Sequence, residues 1–516
     1  MKTHRLFRST TIVAGMTLIS RLMGFARDVV LAMIFGAGPA FDAFVVAFKI
    51  PNFMRRLFGE GAFSQAFVPV LAEYRTQRSP QEVHAFVDHI AGTLSLALVI
   101  VVVLGEIAAP LITMIFAPGF VHEPQQFYYA NHMLRITFPY LLFIALTAFA
   151  GATLNTFRRF AIPAVTPVLL NICIILVAWL WAPHAREPIF VLAWGVLIGG
   201  LVQLVSQFPS LRRIHLFPVP KLQWHDPGVL RVLKLMIPAL FGVSVAQLSL
   251  LIDNFFASFL PAGSISWLYY SDRLTYLPLG VVGVALATVV LPNLSHYHSA
   301  DSKKAYSDTL DWALRTVVVI GVPAAVGLFL LAGPLIATLF NYDAFTIHDV
   351  RMTRLSLWAF SVGLPGFMLI KILASAFYSK QNIRTPVKIA AGAVVVNLVL
   401  NILLVKPLAH AGLALSTSLA SLLNAFLLLF FLLRRSIYQP PAGWPWLLSR
   451  IFLANALMGF FIAAWAAPLP RWLHWSVWER GWHLLEILSL AVVVYMLALL
   501  LLGLRLRDFR PPSSVS

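Results

Sequence analysis

Charge is scarce in this chain: only 11% of its 516 residues are Asp, Glu, Lys or Arg, and 60% are hydrophobic. A soluble domain carries roughly a quarter charged residues, so a cytosolic globular fold is excluded in favour of a polytopic membrane protein. Cysteine is nearly absent. The single Cys173 lies in an apolar run and excludes an internal disulfide. No HExxH pair, GxSxG elbow or GxxxxGK[ST] loop occurs, so no catalytic set is assigned. The 14 histidines mostly sit in loops without metal-ligand spacing, which leaves no metal site to name. No cleavable leader is expected either, because the first apolar segment is interrupted by Arg21 and runs into a charged motif.

Acidic residues are the scarcer sign, 20 against 38 basic. The excess does not indicate nucleic acid, because the basic residues form no patch or arm. They are spread over short loops, as the positive-inside rule requires. Hydropathy predicts an all-α integral membrane protein of fourteen spans, each near the ~20 residues that cross a ~30 Å core. The spans are 10–35, 40–58, 87–117, 128–155, 160–182, 188–208, 233–260, 265–292, 311–340, 354–379, 387–405, 411–433, 447–468 and 482–503. On that layout 22 Lys and Arg fall in segments of one side and four, Arg186, Lys406, Arg471 and Arg480, on the other. Both termini are therefore expected to be cytoplasmic.

An internal repeat organises the first twelve spans. VPVLAEY at 68–74 recurs as LPNLSHY at 291–297, placing Pro69 and Pro292 at an offset of 223. LNTFRRFAIP at 154–163 pairs with FYSKQNIRTP at 377–386, and Pro163 and Pro386 share that offset of 223. Two six-helix lobes are expected, 1–224 and 225–440, with the same orientation in the membrane. Parallel repeats of this kind occur in transporters whose substrate site lies between two lobes. Residues 441–516 add two spans outside the duplication, where a groove for a lipid tail and a purely stabilising role are both open.

The charges that do occur inside the spans are concentrated in SRLMGFARDVVLAMIFGAGPAFDAFVVAFKIPNFMRRLFGE, residues 20–60. A charge near the bilayer centre costs roughly 2.5–3.5 kcal/mol on insertion scales, so such residues face one another, a watery cavity or an ionic ligand. At 100° per residue, Arg21 and Asp28 nearly share a face of the first helix, as do Ser20, Gly24 and Arg27. Ser20 and Gly24 allow close approach of a backbone or ligand. Asp42, Lys49 and Arg56 form a heptad stripe on the second helix, and Glu60 returns to it. Pro51 bends that helix. The second lobe supplies Asp272 and Arg273 in SWLYYSDRLTYLP, with Lys371 in the tenth span and Asp253 in the seventh. Arg27–Asp28, Arg56–Glu60 and Asp272–Arg273 are expected as internal pairs. Cationic members outnumber anionic ones, which suits an anion, and guanidinium groups bind phosphate through two parallel hydrogen bonds. Arg21, Arg27, Arg55 and Arg273 are the candidates for a diphosphate clamp, against the alternative that these charges only position helices. A second set, Asp253, Asn397, Asn401 and Thr417, bears oxygens of the kind hard cations take. On the residues alone, polar contact between helices explains it better.

The block from Ser20 to Tyr74, SRLMGFARDVV through VPVLAEY, resembles the signature of the MurJ (MviN) family of bacterial lipid II flippases. That family belongs to the superfamily of multidrug, oligosaccharidyl-lipid and polysaccharide exporters. The likeness continues through GATLNTFRRFAIPAVTPVLLN, ASFLPAGSISWLYYSDRL and FYSKQNIRTPVKIA. The resemblance implies a fourteen-helix inner-membrane transporter working by alternating access. It would carry the undecaprenyl-diphosphate-linked disaccharide-pentapeptide from the cytoplasmic to the periplasmic leaflet, with membrane lipids and peptidoglycan synthases as further partners. It places the family's cavity charges on Arg21, Arg27, Asp42, Arg55, Glu60 and Arg273; the charge pattern itself puts Ser20, Asp28, Arg56 and Asp272 beside them as candidates for gating or pairing. It also implies a polyprenyl groove at 447–503 and, in some relatives, Na⁺ between the seventh, eleventh and twelfth helices. No other cofactor is implied, and Na⁺ or the membrane potential would drive turnover. One departure stands out: where relatives often have an acidic residue just after the DRL motif, this chain has Tyr276. Exporters of other polyprenyl-linked oligosaccharides share the same cavity logic. A multidrug or cation antiporter fits less well, because its cavity would favour acidic residues.

Overall fold

The computed structural model describes residues 2–56 and 63–505; within them, the side chains of 2–14, 17, 238–250 and 284 are not described. Glu60, a predicted cavity charge, lies outside the described residues. The described chain is helical throughout, without strands. In order, the helices are α1 (Lys2–Phe35), α2 (Pro39–Met54), α3 (Ser64–Gln77), α4 (Pro80–Ile107), α5 (Ala109–Phe116), α6 (Pro124–Thr137) and α7 (Tyr140–Thr156). Then come α8 (Ala161–Trp181), α9 (Phe190–Val205), α10 (Phe208–Arg213), α11 (Pro227–Ala257), α12 (Ser264–Pro278), α13 (Val284–Ser299) and α14 (Lys303–Leu330). The last are α15 (Ala332–Phe340), α16 (Ile347–Tyr378), α17 (Arg384–Arg434), α18 (Trp444–Trp465), α19 (Leu469–His474) and α20 (Val477–Leu501).

Among the described residues, 10 helical segments are long and apolar enough to cross a membrane. The first two predicted spans fall on α1 and α2, which are not among the ten. Both are helical, but α1 carries the charges of the cavity motif and α2 has 16 residues. The eleventh and twelfth predicted spans merge into the 51-residue α17, whose only non-helical residue is Ala409, with φ 48° and ψ −129°. Pro407 stands just before that break, where it deprives the helix of a donor.

The chain divides into two compact units, Met1–Gly263 and Ser264–Ser516. The division falls after α11, and the last two spans lie within the second unit. The physical reason lies in the basic connection 214–226, which is strapped to α4. Asp88, 1% exposed, accepts from Val219 N at 2.9 Å and from Lys221 Nζ at 2.9 Å. The Lys221 amide donates to the Asp88 carbonyl at 3.2 Å. Gly92 permits the crossing: a Cβ there would stand 2.3 Å from the Lys221 carbonyl oxygen. Asp226 then caps α11 through Gly228 N (2.8 Å) and Val229 N (3.1 Å), and its other oxygen meets His89 Nδ1 at 2.9 Å. Arg231 Nη1 donates to Glu73 at 2.9 Å and holds that carboxyl below its ordinary range. The start of α11 is thereby tied to α3 and α4.

Each unit has its own apolar centre. In the first, Phe63, Phe67, Phe86 and Phe149 stack among Val70, Leu71 and Val87. In the second, Leu310, Leu314, Val317, Leu364, Met368 and Ile372 are each at most 3% exposed. The repeat appears in backbone detail. Pro69 lies inside α3 and Pro292 inside α13. Arg158 has φ 61° and Gln381 φ 57°, again 223 residues apart. Each closes a helix with the same long backbone bond, Arg159 N to Leu154 O at 2.8 Å and Asn382 N to Phe377 O at 3.0 Å. This is the left-handed helix end with its six-to-one hydrogen bond. Two copies of one turn at one offset are what duplication leaves behind.

Candidate functional site

In the first unit, α1 buries two adjacent charges, Arg27 at 6% exposure and Asp28 at 1%. They pair as expected: Arg27 Nε and Nη2 donate to Asp28 Oδ1 at 3.0 and 2.6 Å. Nη1 turns instead to Asn171 Oδ1 on α8, at 3.1 Å. Asn171 Nδ2 in turn donates to the Ser20 carbonyl at 3.4 Å and lies against Gly24, whose Cβ would meet it at 3.5 Å. The three positions that align on α1, Ser20, Gly24 and Arg27, thus share one neutral partner. Asn171 was not among the predicted site residues. Its signal is a single carboxamide within the apolar run of α8. Arg21 lies further along α1, half-buried.

Asp42 and Lys49 on α2 and Arg56 just past its end, the predicted stripe, meet three different fates. Asp42 is buried at 2% and accepts from the Gly263 amide at 2.6 Å. Gly263, at φ 96°, takes a backbone conformation that a side chain would strain. Lys49 Nζ donates to Asn254 Oδ1 on α11 at 2.7 Å, another neutral amide absent from the predicted set. Arg56 is exposed, while Arg55 folds back along its own helix onto Asn52 Oδ1 at 2.9 Å. Pro51 sits inside α2, and the backbone passes into a wider π turn at Arg55 and Arg56. Thr137 on α6 donates to the Ala47 carbonyl at 3.1 Å, which ties the middle of α2 to its neighbour.

In the second unit, Arg273 on α12 lies with Cζ 4.8 Å from the Tyr269 ring centre and Nη2 3.4 Å from its hydroxyl. The Tyr269 face therefore orients the guanidinium through cation–π attraction. Asp272 is half-buried and Tyr276 is 46% exposed. Past α12 the chain forms a π turn at Leu279–Gly283. Asn397 and Asn401, at 1% and 0% exposure, share one face of α17 four residues apart; Thr417 lies past the break. Asp253 belongs to the first unit, on α11 beside Asn254. Among the described residues, no group of three or more His, Cys, Asp or Glu could hold a metal ion.

Helices of this length, two duplicated halves and buried ionisable groups define a polytopic transporter-type membrane protein. Solved structures agree at the level of fold. A multidrug-resistance MATE transporter of the MOP superfamily, in an inward-facing conformation, matches with a TM-score of 0.67 at 14% identity, over 81% of this chain and 94% of that one. A structure described as lipid II flippase MurJ, inward closed conformation, matches with a TM-score of 0.81 at 30% identity, over 95% of this chain and 98% of that one.

Sequence comparison narrows the class. The family model for lipid II flippase MurJ matches residues 31–480. A probable lipid II flippase MurJ of Vibrio cholerae is 44% identical over 513 residues, 98% of both chains. The lipid II flippase MurJ of Burkholderia cenocepacia is 43% identical over 501 residues, 96% of this chain and 95% of the relative. This chain belongs to the lipid II flippase MurJ family.

Proposed function

We infer that this protein is a lipid II flippase, carrying the undecaprenyl-diphosphate-linked peptidoglycan precursor from the cytoplasmic to the periplasmic leaflet. The observation that carries the reading is the 44% identity to the Vibrio relative across 98% of both chains. The protein sits in the inner membrane with both termini cytoplasmic, supported by the loop charges. It crosses fourteen times: the ten apolar segments are joined by α1, α2, α11 and the second limb of α17. The last two crossings give the polyprenyl tail its groove.

The headgroup diphosphate is taken by Arg27 and Arg273, with Arg21 and Arg55 assisting. What supports this is the cost of keeping Arg27 buried, together with the acceptors that fix its plane. A preset guanidinium loses little freedom when phosphate oxygens arrive. Asp28 neutralises Arg27 in the resting protein, and Asp42, Arg56, Glu60 and Asp272 exchange partners as the cavity changes sides. Such an exchange has the two discrete arrangements that switching requires. An inside-negative potential pushes anionic cargo outward at about 2.3 kcal/mol per charge per 100 mV. For Na⁺, the buried carboxamides of Asn397 and Asn401 offer oxygen ligands a turn apart, with Thr417 and Asp253 completing the set; bound Na⁺ would supply charge there.

Purified protein in proteoliposomes, given fluorescent lipid II and the membrane-impermeant quencher dithionite, tests the reading. Wild type should move the lipid, Arg27→Ala should abolish movement, and Arg27→Lys should restore only part. Equal movement by Arg27→Ala would remove the diphosphate clamp. Accumulation of a different lipid-linked oligosaccharide on depletion in cells would replace lipid II as the cargo.

A further inference from the structure

Among the arginines in the helices of the second unit that have no role in the transport reading, two stand apart. Others in that unit are answered by the protein: Arg315 by Asp311 at 2.6 Å, and Arg480 by backbone carbonyls. Arg450 on α18 and Arg354 on α16 are not. Each has a buried Nε without a hydrogen-bond partner, and neither forms an ion pair with the described residues. Each guanidinium lies instead on an indole one turn away. Arg450 Cζ is 4.8 Å from the Trp446 ring and Arg354 Cζ is 4.6 Å from that of Trp358.

Their depth is informative. Arg450 is about 9 Å and Arg354 about 10 Å along its helix from the first residue, at 1.5 Å per residue. Side chains on a helix lean toward its N-terminus, so both lean toward the nearer water boundary. From the start of α16 to the start of α18 the chain makes three passes, one along α16 and two along the limbs of α17. The two sites therefore belong to opposite leaflets. Both face the bilayer. Around Arg450, Trp446 is 64% exposed and Phe452 71%. The Trp358 indole is fixed by its bond to the Phe329 carbonyl at 2.8 Å, and Phe329, stacked on it, is 42% exposed. Gly503, at φ 84° just past α20, lies beside Arg450: a Cβ there would make an ordinary contact with Nη2 at 3.5 Å.

We propose that Arg450 with Trp446, and Arg354 with Trp358, are two lipid-phosphate sites, one per leaflet, each holding the phosphodiester of a glycerophospholipid. A guanidinium with a buried, unused Nε donor needs a strong acceptor, and at headgroup depth the acceptor at hand is phosphate. The single positive charge of Arg450 matches the single negative charge of a phosphodiester. A diphosphate would call for more cations. The indole face holds the guanidinium flat, so that its outer edge presents two parallel donors.

Native mass spectrometry of the full chain, titrated with phosphatidylglycerol, tests this. Wild type should retain two tightly held lipids. Arg450→Gln and Arg354→Gln should each lose one, with apparent affinity at that site falling about tenfold or more, as loss of a charged hydrogen bond predicts. The double variant should lose both, and lysine at either position should restore part. Circular dichroism and melting temperature check that each variant is folded; should one fail, Trp446→Leu or Trp358→Leu must weaken the same site. Unchanged retention in folded variants would overturn the proposal. So would a loss confined to undecaprenyl diphosphate titrated in parallel, which would assign the arginines to the cargo's path.

Discussion

Removing the Asn171 carboxamide isolates the part of the site that was hidden from charge counting. Asn171→Ala deletes one of the bonds that orient Arg27, the 3.1 Å contact to Nη1, and leaves both contacts to Asp28. A hydrogen bond to a charged group contributes about 1.5–3 kcal/mol. If transport uses that orientation in its slow step, the rate should fall about ten- to a hundredfold, at 1.4 kcal/mol per factor of ten. The fall must stay below that of Arg27→Ala, because Asp28 still holds the guanidinium. Losing the contacts to Ser20 and Gly24 also loosens α1 against α8, so a melting-point drop of a few degrees should accompany it. The dithionite assay gives the rate, and calorimetry in detergent gives the stability. Asn171→Asp separates orientation from charge. It keeps an acceptor for Arg27 but loses the Nδ2 donor to the Ser20 carbonyl, so a melting-point drop should remain, and its added negative charge should repel a diphosphate and raise the apparent KM. Wild-type transport by Asn171→Ala beside a dead Arg27→Ala would refute the idea that α8 orients Arg27.

Gly92→Ala should drive a methyl into the Lys221 backbone, 2.3 Å away at the carbonyl. Overpacking of that kind costs about 1–3 kcal/mol, and limited proteolysis should then cut within 216–226, which wild type resists. Arg480→Met should cost about 3 kcal/mol or more. It strands the carbonyls of Trp475, Ala337, Asn341 and Leu473, which the guanidinium meets at 2.9–3.1 Å; thermal unfolding in detergent measures it. Glu82 and Glu479 complete capping boxes at the starts of α4 and α20, where the Ser79 and Ser476 amides hold their carboxyls below the ordinary range. A lowered folded pKa means their contribution stands above the unfolded value and fades as pH falls through the folded one. Protection of both helix starts against hydrogen exchange, taken relative to the intrinsic rate at each pH, should therefore fall in acid, and Glu82→Gln should flatten the response at α4 alone.

Much of the architecture was legible because membrane helices obey strong one-dimensional rules. Long apolar runs had to become helices, since no other open structure satisfies its backbone in hydrocarbon. The 223-residue offset read from prolines reappears in the paired left-handed turns at Arg158 and Gln381. The Arg27–Asp28 pair was legible for a similar reason, two opposite charges adjacent in a span having few other partners. The packing of α11 onto the first unit was not. It depends on Asp88 and Gly92 gripping a loop more than a hundred residues away, and neither residue carries a motif.

Neutral partners and buried loop charges mark where such rules end. Hydropathy sees Asn171 and Asn254 as small blemishes in apolar helices, although each receives a cation from another helix. Their meaning comes from which helices pack together, which composition does not encode. Arg480 shows the converse. Charge counting places it with the solvated residues of an outside loop, yet it is 7% exposed and spends its donors on carbonyls from three segments. An arginine held this way cannot be inverted cheaply across a bilayer, so it fixes the turn between α18 and α20 where a mobile loop would otherwise be expected. The same sequence letter thus serves as a carbonyl clasp at Arg480 and, as proposed above, as a cargo ligand at Arg27 and a lipid anchor at Arg450. What separates the three is the acceptor that the fold, or the bilayer, sets within reach of the guanidinium.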